Sequence, residues 1–238
     1  MQEKLGQLKK AVVLSVSFLL CYYFSILSPE YWQSLLAFLA GFKSAPFAIQ
    51  ISGWYLHPTS ESINFAAIVE AGHYYLSAFI AISGVLLNAI WYLVGVVLLA
   101  RTNEDHGLWR ISIVFWLLVV NLMIILSYVP NRIFMTGEIN EFVNASGFSP
   151  IWCFVISTLL VGIALYRFYW VEFAKVTHLL ALDARWSRRL LLWATFVPLA
   201  VSVIYWRPPS TWVFLSYLVN AATLFFILWV VTDRDPKE

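Results

Sequence analysis

The apolar and polar positions alternate along this chain in long blocks, and the longest block runs from Ser62 to Arg101. Between Ile63 and Ala100 it holds 38 residues, of which only Asn64, Glu70, His73 and Asn88 are strongly polar. A helix of that length would extend roughly 57 Å, against a hydrocarbon core of about 30 Å. The block is therefore expected to be a span with a helical stub, or to break near Ser83-Gly84. Upstream, the basic segment Met1–Lys10 precedes a 17-residue apolar run, Ala11–Leu27, read as an uncleaved first span that ends at Ser28-Pro29. Tyr31–Phe42 is helical in pattern but too short to cross, and Phe47–Leu56 reads as an extended or re-entrant segment. His57-Pro58-Thr59-Ser60-Glu61 reads as a turn and helix N-cap.

Downstream, the loop Thr102–Gly107 leads into a span over Leu108–Tyr128, and Pro130–Ser149 reads as a polar loop. Pro150–Tyr169 is the next span, Trp170–Arg189 an amphipathic surface helix, and Leu190–Tyr205 and Thr211–Val231 the last two spans, joined by Arg207-Pro208-Pro209. The charged tail is Thr232–Glu238. No repeat or linker interrupts the pattern, so residues 1–238 form a single integral membrane domain. The fold class expected is an all-α polytopic membrane protein. It has about six transmembrane helices, with a short re-entrant or extended segment after the first.

Composition agrees. The chain is 61% hydrophobic and 12% charged, with a mean hydropathy of +0.79, where soluble domains carry about 25% charged residues. The net charge of +2, without a basic cluster, argues against a nucleic-acid partner. Many of the 12 Trp and 12 Tyr fall at predicted span ends, as an interfacial belt requires. Cys21 and Cys153 lie in apolar runs and read as inert buried thiols.

Charge fixes an expected orientation. With six crossings and an inner N-terminus, 12 of the 15 basic residues fall on the inner side, leaving Lys43, Arg132 and Arg207 outside. The positive-inside rule then places both termini in the cytoplasm, in a plasma or bacterial inner membrane.

That orientation gathers His57, Glu61, Glu70, His73, Glu138 and Glu141 at the outer side. Imidazole and carboxylate suit zinc and other transition metals, so Glu70, His73, Glu138 and His57 are the candidate metal ligands. Glu70 and His73 are spaced i, i+3 and so share a helix face. The competing reading wets the pair on a helical stub, or pairs it with Arg132 or the Gly137–Glu141 loop. Asn88 and Asn121, deep in predicted spans, are expected to hydrogen-bond between helices. His178, with Arg185, Arg188 and Arg189, is expected to meet anionic headgroups, and His106 to be solvated.

The order of features resembles a degenerate member of the site-2 protease family, the intramembrane zinc metalloproteases. Tyr31–Phe42 stands in the slot of that family's HExxH helix, Phe47–Leu56 in its strand region, and Glu70-Ala71-Gly72-His73 at its Ala-Gly-Pro motif. Ser127–Asn131 through Thr136-Gly137-Glu138 stands at its last motif. The resemblance implies a zinc site whose ligands this chain lacks at the matched positions: YWQSLLAFLAGF holds no His or Glu, and Glu138 stands where an Asp ligand is expected. Setting Val69–His73 on HExxH keeps the Glu and one His but loses the other His. Three function classes follow. The first is a non-catalytic integral membrane subunit packed against other membrane proteins in the lipid bilayer. The second is a metal-dependent membrane enzyme, protease-like or an oxidoreductase, at the outer interface. The third is a pigment- or haem-binding subunit with His73 as axial ligand.

Overall fold

A computed structural model describes residues 2–49, 51–52, 57–58, 63–134, 137–180, 189, 191–195, 218 and 221–222. Of the expected spans over Leu190–Tyr205 and Thr211–Val231 only residues 191–195, 218 and 221–222 are described, all of them helical; the connecting turn and the tail lie outside the described residues. Within them the fold is all-helical apart from one short ladder. The order is α1 (Gln2–Leu39), β1 (Ile51–Ser52), β2 (His57–Pro58), α2 (Phe65–Glu70), α3 (Tyr74–Ala100), α4 (Leu108–Arg132), α5 (Glu138–Ser146), α6 (Pro150–Arg167) and α7 (Phe173–Leu179). Among the described residues four helical stretches are long and apolar enough to cross a membrane: Gly6–Leu39, Tyr74–Ala100, Leu108–Val129 and Pro150–Leu179.

The first departure from expectation is at Pro29, which lies inside α1 rather than ending it. Proline removes the hydrogen bond to the Ser25 carbonyl, but tertiary packing carries the helix across. Ser25, Gln33, Ser34 and Ala37 are all buried on both sides of it. Tyr31–Leu39 is thus the second half of α1, not a separate short helix. α1 stops where Gly41 takes φ 81°. The Gly41 N–H donates to Phe38 O and the Phe42 N–H to Ala37 O, both at 2.9 Å. These are the paired bonds of a Schellman end, which needs a left-handed residue. Ser34 Oγ then donates to Pro46 O, folding the following turn back on α1.

The same device divides the long central block. α2 ends at Glu70; Gly72 has φ 81°, its N–H bonds Val69 O at 2.9 Å, and the His73 N–H bonds Ile68 O at 3.1 Å. The stub-plus-span alternative therefore fits, with the break at Ala71–His73 and not at Ser83-Gly84. The N-cap of α2 is Asn64, whose Oδ1 accepts the Ala67 N–H at 3.1 Å, while His57-Pro58 pairs antiparallel with Ile51-Ser52 instead of forming the cap. Of the expected extended segment Phe47–Leu56, Ile51-Ser52 is a strand of this ladder, whereas Phe47 lies in a turn.

Two further segments differ from their reading as loop and surface helix. Pro130–Ser149 carries the end of α4 and all of α5, whose Ile139 and Val143 are buried against Val85, Val129 and Cys153. Apolar residues at 139, 142 and 143 give α5 one inward stripe. Trp170–Leu179 continues α6 through a π-helical turn, Phe168–Glu172, into α7; the remainder of Trp170–Arg189 is almost entirely outside the described residues.

α4 is the central helix. Two-thirds of its span (67%) is buried, against 22% for the spans of α1 and α6. α1 meets it through every fourth residue: Val13, Ser17, Cys21 and Ser25 are all buried. Cys21 Sγ contacts Ile113 O at 3.4 Å, and Asn121 Nδ2 donates to Ser25 Oγ at 3.0 Å. Small side chains at this spacing let helix backbones approach in lipid, where exclusion from water drives nothing. α3 approaches in the same way. A Cβ on Gly95 would stand 2.9 Å from Leu118 of α4, and one on Gly84 2.8 Å from the Gln33 amide of α1. Gln33 Nε2 uses that space to donate to Ile80 O and Ala81 O at 3.2 and 3.1 Å. Cys21 and Cys153 are buried free thiols.

Gly84→Ala and Gln33→Leu should each destabilise the chain by about 1–2 kcal/mol, since either loses the amide bonds between α1 and α3. Because both act through one contact, the double variant should lose clearly less than the sum. Unfolding in mixed micelles measures the cycle; strict additivity would mean that the two sites are uncoupled.

Candidate functional site

Of the four ligands expected for a metal, Glu70 and His73 are set on either side of a helix break. Glu70 is the last residue of α2 and His73 the N-cap of α3, and both are exposed. The Gly72 turn between them breaks the helix, so they do not share a helix face as their spacing predicts. The His73 ring lies instead edge-on to Phe42, centroids 5.7 Å apart. Glu138 opens α5, half-buried and engaged in contacts of its own. His57 belongs to β2, and its side chain lies outside the described residues. Among the described residues no three His, Cys, Asp or Glu side chains are grouped closely enough to hold a metal ion.

What the fold does gather at this end of the bundle is a mixed-charge cluster. The turn pinned by Ser34 sets Lys43 beside α1, where the Glu30 carboxylate is within electrostatic reach of both Lys43 and Arg132. Arg132 is fixed from below by Tyr128. Its guanidinium carbon sits 4.1 Å from the ring centroid, and Nη1 donates to the phenol oxygen at 3.0 Å. The Lys43 Nζ is buried and has no hydrogen-bond partner. Burial holds its ammonium below the ordinary lysine range, and the Glu30 carboxylate opposes that shift. Sequence reading missed this cluster because Glu30 and Lys43 are joined only by a turn whose return path is tertiary. The signals that were present are Gly41 as a helix stop and Lys43 and Arg132 among the three basic residues expected on the outer side.

The opposite end is built differently. Lys175 Nζ donates to Ala100 O at 3.0 Å and Lys10 Nζ to Leu180 O at 2.8 Å, so two lysines satisfy carbonyls at the C-termini of α3 and α7. His178 Nδ1 stands 3.5 Å from Glu104 Oε1, both well exposed. These side chains border an open cleft of about 530 Å³ with Thr102, Asn103 and Asp105. His106 Nδ1 accepts the Asn103 N–H at 3.1 Å in the adjoining turn. One helical turn deeper, Arg167 Nε donates to Glu172 Oε1 at 2.8 Å across the π-helical turn. Glu172 is buried, and its Oε2 has no partner. Of the two deep asparagines, Asn121 makes the expected interhelical bond, whereas the buried Asn88 Oδ1 has no partner.

Comparison of the chain with family models, curated proteins and solved structures finds no match.

The Lys43 site gives a pH signature. The folded state holds this lysine below its unfolded value of about 10.5. Between the two values the unfolded chain binds more protons, so stability rises with pH in that window. The wild type should therefore gain stability relative to Lys43→Met as pH climbs toward 10.5. Parallel pH profiles of unfolding test this; two profiles of identical shape would contradict it.

Proposed function

We propose that this chain is a non-catalytic integral membrane subunit or scaffold that packs into a larger membrane protein assembly through the outward face of α6. The observation that carries the reading is a continuous stripe along that helix. Ile151, Trp152, Val155, Ile156, Leu159 and Leu160 follow one another at helical spacing and are 45–63% exposed. The helix makes contact with the bundle through the other face, at Cys153, Ser157, Val161 and Leu165. Polar side chains support the same reading, because many are engaged in bracing this chain's own helices. Gln33 ties α1 to α3, Asn121 ties α4 to α1, and Lys10 and Lys175 cap helix ends.

The proposal includes six crossings, the last two over Leu190–Tyr205 and Thr211–Val231, with both termini cytoplasmic in a plasma or bacterial inner membrane. Its support is the sorting of cations between the ends. Lys9, Lys10, Arg101, Arg110 and Lys175 belong to the end that carries the Ala100–Leu108 connection, and Lys43 and Arg132 to the other.

A membrane-impermeant maleimide applied to intact cells should label Asn144→Cys at once and Asn103→Cys only after permeabilisation. The reverse order would contradict the orientation. A photoreactive residue at Leu159 should yield a discrete adduct heavier than the 27.3 kDa chain and containing a second polypeptide. Adducts with lipid alone, at both Leu159 and Trp152, would remove the subunit reading.

A further inference from the structure

The cluster around Lys43 has an unmet requirement. An ammonium withdrawn from solvent with no acceptor loses hydrogen bonds that water would have supplied. The Glu30 carboxylate acts on Lys43 through space but makes no hydrogen bond to its ammonium. The missing group is an oxygen acceptor carrying negative charge.

Depth says which anion is at hand. α1 and α4 run parallel with Ser25 level with Asn121, so Glu30 lies level with the last turn of α4's apolar span, which ends at Val129. Arg132 follows that span by three residues, and Lys43 follows the apolar span of α1, which ends at Leu39, by four. This is the level of lipid headgroups. The α4 span of 22 residues is about 33 Å long, close to the hydrocarbon thickness.

We propose that Lys43, with Arg132 beside it, binds a phosphate group at this end of the bundle, and that a phospholipid headgroup supplies it. The Lys43 ammonium donates to the phosphate oxygens as a compact point charge. The Arg132 guanidinium, fixed on the Tyr128 ring, adds the second positive charge without having to be ordered on binding. Glu30 holds the lysine over the end of α1 and keeps the site from attracting anions indiscriminately. The site does not depend on a protein partner at α6.

The full chain, purified in detergent and stripped of lipid, is to be titrated separately with phosphatidylglycerol, phosphatidylcholine and inorganic phosphate, and adducts counted by native mass spectrometry. Wild type and Lys43→Arg should retain a phospholipid, and Lys43→Gln should hold it about tenfold more weakly, as loss of one charged hydrogen bond implies. Equal retention by wild type and Lys43→Gln would overturn the proposal. Lysine-dependent binding of inorganic phosphate with neither lipid retained would overturn the headgroup as its source. Should Lys43→Gln fail to fold, the wild type alone decides. Added phosphatidylglycerol should raise its thermal midpoint, and no rise would count against the site.

Discussion

Everything in this bundle depends on how closely α1 and α3 approach α4. Lipid offers apolar helices no reason to leave it, so association rests on dispersion between surfaces that fit and on a few polar bonds. The chain meets that condition with size. Ser17, Cys21 and Ser25 form a shallow track on α1, and Gly95 forms a notch on α3 for Leu118. Asn121 then locks the register with α1 through one hydrogen bond. The outer surfaces of α1, α3 and α6 are left to broad aliphatic and aromatic side chains. The burial gradient from α4 outwards follows from that division.

The two ends of the bundle use charge for different purposes. At the end with the Ala100–Leu108 connection, lysines reach across helices to carbonyl groups that the helix pattern leaves over. At the other end Lys43 is brought in against α1 without such an acceptor, beside Glu30 and Arg132. One arrangement closes helix termini. The other leaves a cation short of a partner just past the apolar spans of α1 and α4.

Membrane class and the α3 and α4 spans were legible in the sequence, because a hydrophobic run of span length has few alternatives. The interhelical bond of Asn121 was legible for the same reason. Pro29 misled, since the rule that proline ends a helix is local and the packing of Ser25, Gln33 and Ala37 on both sides of it is not. Gly41 and Gly72 are the left-handed helix stops, each a single glycine less conspicuous in the sequence than Ser83-Gly84. That pair proved to be a niche for Gln33, not a kink. α5 was hidden by polar neighbours, although its acidic first turn and the αL Gly147 after it mark both its ends. For the site, the sequence drew attention to Glu70 and His73, which a glycine turn sets apart. Its pointers to Glu30 and Lys43 were indirect, a helix stop at Gly41 and two outer cations, because their meeting depends on how the turn after α1 folds back.

The central claim, that α1 lies parallel to α4 in the Ser25–Asn121 register, is tested most directly by covalent capture. With Cys21 and Cys153 replaced by serine, Ser25→Cys and Asn121→Cys are combined, and a protease site is inserted in the 102–107 loop. After oxidation in native membranes and cleavage, the two fragments should stay joined on a non-reducing gel and separate on reduction. Fragments that separate without reductant, while a pair shifted by one helical turn stays joined, would contradict the register and the packing built on it.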